Sequence, residues 1–247
     1  MKGNITITML YYESPEMLRL QLSYWRKYSK EVADRVRMVL VDDGSPKFPA
    51  GDVLASESLP AFPVRLYRAT ENIIYNQAGA FNLAFTKIED GWALMSDMDH
   101  VITSKNMEKL LATKVDPDNV YRFGRVRMKN MVEGEVIHRH LDSILLTKDM
   151  FWRAKGFDED YRGYWNGVSE PFRKSLKRNA KEIIELTDIK LLNFPVEVVP
   201  DSGNTVFGKA GSEYDIHTNS KMVTKRRLAC RDYQPKNYLR FKWEQVM

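Results

Sequence analysis

The chain has 247 residues, 43% hydrophobic and 29% charged, which is the size and composition of a folded globular domain rather than a disordered or fibrous chain. No apolar run is long enough to span a bilayer, and no leader with a basic start and an apolar middle opens the sequence, so neither a membrane-embedded nor a secreted protein is expected. The net charge of +5 is gathered at one end, because residues 221–247 hold eight Lys/Arg against two acids, which points to an anionic partner or to a solvated surface there.

In chain order, residues 4–12 (NITITMLYY) read as a first strand, rich in β-branched and aromatic side chains. Ser14-Pro15-Glu16 then signals a helix start, with Leu18, Leu22 and Trp25 at helical spacing. Residues 36–41 form an apolar run broken only by Arg37, as a buried parallel strand requires, and stop at Asp42-Asp43-Gly44-Ser45-Pro46. Residues 64–67 suggest a third strand and residues 76–86 a helix. Residues 92–95 suggest a fourth strand that ends at Ser96-Asp97-Met98-Asp99-His100. Strands alternating with helices predict an α/β fold with a mainly parallel sheet, whose ligands bind at the strands' carboxyl edge. Both acidic clusters fall on that edge.

Beyond residue 117 the pattern changes. Residues 121–128 and 136–146 read as longer antiparallel strands joined through Glu133-Gly134, residues 156–167 as a loop, and residues 170 to about 186 as a helix. The single cysteine, Cys230, excludes an internal disulfide and fits a reducing, cytoplasmic compartment.

Three segments carry chemistry. Asp97 and Asp99, two apart at a strand end, face the same way and can share a divalent cation with a diphosphate. Asp42 or Asp43 can accept hydrogen bonds from a nucleoside, or can simply cap the turn that Gly44 permits. The segment from Lys155 to Glu170 mixes aromatics, glycines and acids, which suits either a sugar site with a carboxylate base or an acidic surface loop.

The order of these segments resembles the GT-A glycosyltransferases, especially family 2 and the β-1,4-galactosyltransferase-like enzymes. Val41–Ser45 matches a V-D-D-G-S motif, and Tyr75-Asn76-Gln77-Ala78 an F-N-R-A helix start with Asn82 following. Asp97-Met98-Asp99 matches D-x-D, and residues 156–170 match a G-F-D-E-x-[FY]-x-G-[WY]-G-x-E-D block. Gln77 stands where that family has arginine, and Ser169 where it has glutamate.

The resemblance implies a GT-A nucleotide-diphospho-sugar transferase fold and a single catalytic domain over residues 1–220. Residues 1–115 would be the nucleotide-sugar half and residues 116–220 a smaller antiparallel acceptor half, with residues 221–247 as a basic C-terminal segment. It also implies donor binding by Tyr11, Asp42, Asp43, Asn76, Gln77, Asn82 and Asp97, with a UDP-sugar as the expected donor. Mn2+ or Mg2+ would be held by Asp99, Asp97 and His217. Asp158, Tyr164 and Trp165 would contact the acceptor, and Glu170 would be the base of an inverting transfer.

Arg125, Arg127 and Lys129 share a strand face, and Arg173, Lys174, Lys177, Arg178 and Lys181 follow Glu170. That charge suits an anionic or lipid-linked glycan, or a hydroxymethylated DNA base, as acceptor, or else a solvated face. Two other functions compete. A nucleotidyltransferase would place a Gly-rich loop after the first strand, where this chain reads Tyr11-Tyr12-Glu13-Ser14-Pro15. A non-catalytic carbohydrate- or nucleic-acid-binding domain would not need Glu170.

Overall fold

The computed structural model describes residues 1, 3–73, 75–89, 91–163, 167–204, 224–225 and 234–247. Its parallel half contains β1 (Ile5–Tyr11), β2 (Val36–Asp42), β3 (Val64–Ala69) and β4 (Trp92–Ser96), connected through α1 (Pro15–Trp25), α2 (Lys30–Ala33), α3 (Ala50–Ala55) and α4 (Gln77–Lys87). The second half contains β5 (His100–Val101), α5 (Ser104–Ala112), β6 (Val120–Lys129), β7 (Val132–Ile137), β8 (Ile144–Thr147), α6 (Lys148–Arg153), α7 (Glu170–Asn179) and β9 (Ile183–Asn193). The chain closes with β10 (Trp243–Gln245).

Among the described residues the strands form one sheet in the order β10-β3-β2-β1-β4-β8-β6-β9-β5, with β7 paired to β6. Strands β3, β2, β1 and β4 run parallel, and β8 turns antiparallel against β4. The chain walks outward from β1 to β3 and then crosses back to β4, so the switch point of the sheet lies between β1 and β4. Every residue of β1 and β4 is buried, because helices cover both faces. One face packs Met17, Leu18, Leu22 and Trp25 of α1, and the other packs α4, α6 and α7. On that second face a run of phenylalanines joins three segments: Phe85 stacks on Phe151 at 3.7 Å between ring centroids, and Phe157 on Phe172 at 4.4 Å. This core holds the start of α7 against the carboxyl edge.

Three details differ from the sequence expectation. The stretch 136–146 is not one strand: β7 ends at Ile137, β8 begins at Ile144, and residues 138–143 form a loop over the sheet edge. The β6–β7 hairpin turns at Asn130 and Met131, both at positive φ, rather than at Glu133-Gly134. The helix from Glu170 stops at Asn179, and residues 183–193 form β9, parallel to β6.

The C-terminal segment belongs to the domain. Strand β10 adds antiparallel to the edge strand β3, and Phe241 is buried in the second core. The clamp that holds it is acidic. The Glu159 carboxylate accepts the Leu239 and Arg240 amides at 2.9 and 2.8 Å, and Asp160 pairs with Arg240 and Lys236 at 2.6 and 3.1 Å. Asp158 Oδ1 accepts the Lys236 amide at 3.2 Å. Part of the basic charge expected to face an outside partner is therefore neutralised inside the chain.

Candidate active site at the carboxyl ends of the central strands

A cleft of about 580 Å³ opens at the switch point, lined among others by Leu10, Gln77, Asp97, Asp99, His140 and Asp142. Its floor is the loop after β4. The α1 residue Gln21, fully buried, donates from Nε2 to the Met98 and His100 carbonyls at 2.8 and 2.7 Å, which fixes the backbone between the two aspartates. The wall formed by residues 195–203 is tied down in the same way. The Asp201 carboxylate accepts the Glu16 and Met17 amides at 2.6 and 3.0 Å, supplying the cap that Ser14 does not give α1.

Asp97 and Asp99 sit in a network of nitrogen ligands. His100 Nδ1 lies 2.7 Å from Asp99 Oδ1, and Arg125 Nη1 lies 3.2 Å from His100 Nε2. Since a guanidinium can only donate, Nε2 accepts, and the proton of the neutral ring sits on Nδ1, facing Asp99. Asn193 Nδ2 donates to the other Asp99 oxygen at 2.7 Å. Pairing of β5 with β9 sets His100 opposite Asn193 and so brings both side chains to one carboxylate.

His140, on the loop before β8, stacks on His100 and points Nε2 at Asp97 Oδ2, 3.3 Å away, while its Nδ1 lies 3.0 Å from Ser143 Oγ. Burial raises the Asp97 carboxyl above its ordinary range, partly offset by His140. Burial also pushes Asp99 upward, but His100, hydrogen-bonded through Nδ1, with His140 and Arg125 nearby, outweighs it and holds Asp99 low.

These donors fit a divalent cation. Ligand atoms of Asp97, His100 and His140 lie within 4.8 Å of one another, where the carboxylate suits Mg2+- and Mn2+-class ions and the imidazoles suit first-row transition metals. Both His100 nitrogens are engaged by Asp99 and Arg125, which leaves His140 Nε2 as the imidazole donor. Its other nitrogen is held by Ser143, as ligating histidines usually are.

The remaining expected residues divide. Gln77 lines the cleft, and Tyr75, strained at φ +47°, donates its hydroxyl to Gln77 Oε1 at 2.9 Å. Asp42 is a turn cap: its carboxylate accepts the Ser45 and Ala50 amides, both at 2.9 Å, and is fully buried. Gly44, at φ +78°, belongs to that turn, and a Cβ there would lie 2.7 Å from the Glu71 carbonyl oxygen. Asp43 accepts the Asn76 amide at 3.1 Å, tying the end of β2 to the start of α4.

Tyr11 is fully buried and donates to the Phe48 carbonyl at 2.5 Å, so its ring is closed to a base. Asn76 is also buried, with neither side-chain amide atom hydrogen-bonded to any of the described residues. Asn82 bonds the Phe157 backbone and Glu159 beneath the C-terminal segment. Asp158 serves the clamp described above and is not among the residues lining the cleft. Tyr11, Asp42, Asn82 and Asp158, expected as ligand contacts, each make hydrogen bonds to backbone amides or carbonyls of the fold.

Glu170 heads α7, 3.5 Å from Lys174 and 40% exposed, while its neighbours Ser169 and Arg173 line the cleft. Tyr164, Trp165 and His217 lie outside the described residues. The sequence reading does not single out His100, His140, Asp142 or Asn193, and places Arg125 only in a basic surface around the acceptor.

Neither a family model nor a curated protein sequence matches the chain. Solved structures match it in fold. Against S. aureus TarS the identity is 13% and the TM-score 0.58, with 90% of this chain and 69% of that one covered. Against TarS in complex with UDP-GlcNAc the values are 11% and 0.61, with 91% and 71% covered. Against the mannosyltransferase PcManGT from Pyrobaculum calidifontis, in complex with GDP-Man and Mn2+, they are 15% and 0.59, with 78% of this chain and 57% of that one covered. The chain thus has the mixed α/β fold of GT-A glycosyltransferases, with a mostly parallel central sheet.

Proposed function

We propose that the chain transfers a sugar from a nucleotide-sugar donor to an acceptor hydroxyl, with inversion and with a divalent cation, Mn2+ or Mg2+, held by Asp97, Asp99 and His140. One observation carries the reading: Asp97 and the imidazoles of His100 and His140 converge at the carboxyl end of β4, with Asp99 bonded to His100, on a fold whose solved examples bind UDP-GlcNAc and GDP-Man. A cation there would offset the charge of the donor diphosphate and favour its departure.

The chain's own residues do the rest. Asn193 and the His100–Arg125 pair fix Asp99 with its carboxylate ionised, so it would meet a cation without reorganising. Gln77 and Tyr75 shape the donor side, and Asp97 faces the donor's sugar or ribose. The acceptor oxygen attacks the anomeric carbon as the bond to the diphosphate oxygen breaks, and the bonding pair leaves with the nucleoside diphosphate. The acceptor's proton passes to Glu170, which heads α7 beside the cleft-lining Ser169. A second reading assigns that proton to Asp142, because Asp142 lines the cleft and Glu170 does not.

Thermal-shift titration with UDP, GDP and their sugar conjugates, with and without Mn2+, tests the proposal. Stabilisation by one nucleotide that requires Mn2+ and disappears in Asp99→Ala supports it. Indifference to every nucleotide overturns it and favours a binding module. Release of pyrophosphate from a nucleoside triphosphate would instead point to a nucleotidyltransferase.

A further inference from the structure

The start of α4 carries a hydrogen-bonded pair on the wall of the cleft. Tyr75 and Gln77 both line it, with the fully buried Asn76 between them in sequence. Tyr75 sits at φ +47°, a left-handed backbone that a bulky residue adopts only where its surroundings hold it. Two hydrogen bonds do so here. The Tyr75 carbonyl accepts the Gly163 amide at 3.0 Å, and the following amide, that of Asn76, donates to Asp43 at 3.1 Å. The Tyr75 side chain is buried in the second core. Burial raises the phenol well above its ordinary pKa, so the hydroxyl keeps its proton and donates to Gln77 Oε1 at 2.9 Å.

That bond decides which end of the amide the cleft meets. With Oε1 taken by Tyr75, Gln77 offers Nε2. This nitrogen has no hydrogen-bond partner among the described residues and is not sealed from solvent. An amide free to turn could present its carbonyl or its NH2 group, whereas this one is held as a donor.

We propose, within the glycosyl-transfer reading on which this rests, that Tyr75 is a positioning residue that presents the Gln77 NH2 group to an oxygen of the transferred sugar. The pair then selects the donor by its sugar rather than by its nucleotide. Position favours the sugar. The Gly163 bond ties Tyr75 to the segment that leads into α7 and Glu170, while Asp97 and Asp99 line the same cleft from the end of β4. The reacting carbon must lie between the proposed cation and the proposed base, and the sugar is the part of the donor that fills that space. Charge favours it too. A diphosphate calls for a cation or a guanidinium, whereas a neutral amide N–H suits an uncharged hydroxyl or ring oxygen.

The test is calorimetric titration of the full chain with Mn2+, comparing UDP with UDP-GlcNAc and GDP with GDP-Man. The quantity read is the affinity of each sugar conjugate relative to its bare diphosphate. Tyr75→Phe should weaken the conjugate about three- to tenfold and leave the diphosphate within about twofold, the size of effect one neutral hydrogen bond gives. Gln77→Glu keeps an acceptor for the Tyr75 hydroxyl but has no N–H to donate, so it should lower the same ratio at least as far. In a Gln77→Ala background, Tyr75→Phe should cost nothing more, whereas a purely structural tyrosine would still show its cost. Tyr75→Phe keeps the ring, and the two Gln77 variants test the same contact where it fails to fold.

Equal weakening of conjugate and diphosphate overturns the proposal, because it puts Gln77 on the nucleotide or Tyr75 in the fold alone. A ratio unchanged in Tyr75→Phe and Gln77→Glu also overturns it and leaves the donor site standing. Absence of binding by every nucleotide instead fails the transfer reading itself, and the selection of the sugar falls with it.

Discussion

His140 stacks on His100 with 4.7 Å between ring centroids and 25° between ring planes, and this contact brings the loop 138–143 to the proposed cation site. His100 is fixed by Asp99 and Arg125, so it acts as a platform that sets the height of the His140 ring. Ser143 sets its rotation. The imidazole that completes the carboxylate pair thus comes from a segment forty residues downstream in sequence, delivered by the break between β7 and β8.

His140→Ala should weaken Mn2+ binding by at least about tenfold, by analogy with losses seen when even the outer partners of ligating residues are removed. Electron paramagnetic resonance of free Mn2+ measures this directly and needs no turnover. His217→Ala is the companion variant: if it weakens Mn2+ binding and His140→Ala does not, the downstream histidine is the ligand.

The base assignment separates by kinetics. Glu170→Gln should lower kcat by about 10²–10⁴-fold, the usual contribution of general base catalysis, with nucleotide-dependent thermal stabilisation retained. Asp142→Asn should act mainly on KM, because Asp142 is engaged by Arg173. The opposite pattern would transfer the role of base to Asp142.

The parallel half of the fold was legible in the sequence because burial on both faces writes continuous apolar runs, and these end where the acids begin. The position of Asp97 and Asp99 just past the carboxyl end of β4 was legible for the same reason. The region 136–146 misled because its alternation is real: His138, His140 and Asp142 do recur at period two, as on one strand face. Reading that period as a site signal rather than a strand signal would have found His140. The acids at 158–160 misled differently. Their partners lie about eighty residues later in the C-terminal segment, and no local pattern shows that an acidic block and a basic tail neutralise each other.

That clamp predicts a stability phenotype without a catalytic one. Glu159→Gln keeps the shape but replaces one carboxylate oxygen with an NH2 group facing a buried amide, at a cost of about 1–3 kcal/mol. Gly79→Ala attacks the same contact from below, since its Cβ would lie 2.5 Å from Asn76 Oδ1 and 2.6 Å from the Phe241 ring. Both variants should lower the urea midpoint and expose residues 234–247 to carboxypeptidase, while the Mn2+ response of the folded protein persists. Unchanged protease resistance would show that the segment is not held by Glu159.

Asp42 gives a pH signature with a definite sign. Burial is the largest influence and raises its carboxyl above the ordinary range, against the lowering effect of the Ser45 and Ala50 amides and of Arg68. A carboxyl raised on folding favours the protonated native state. Its contribution is fully present below the unfolded value of about 3.9 and is lost as pH rises through the native value. Asp42→Asn removes that titration. It also places an NH2 group against one of the two amides that Asp42 accepts, so the variant should be less stable than wild type at every pH. Over the window just above pH 4, wild type should lose stability relative to the variant, narrowing the gap between them. Chemical denaturation at matched pH values measures that gap, and a gap that widens with pH there would show that the native carboxylate is favoured over the acid, with its amide bonds outweighing its burial.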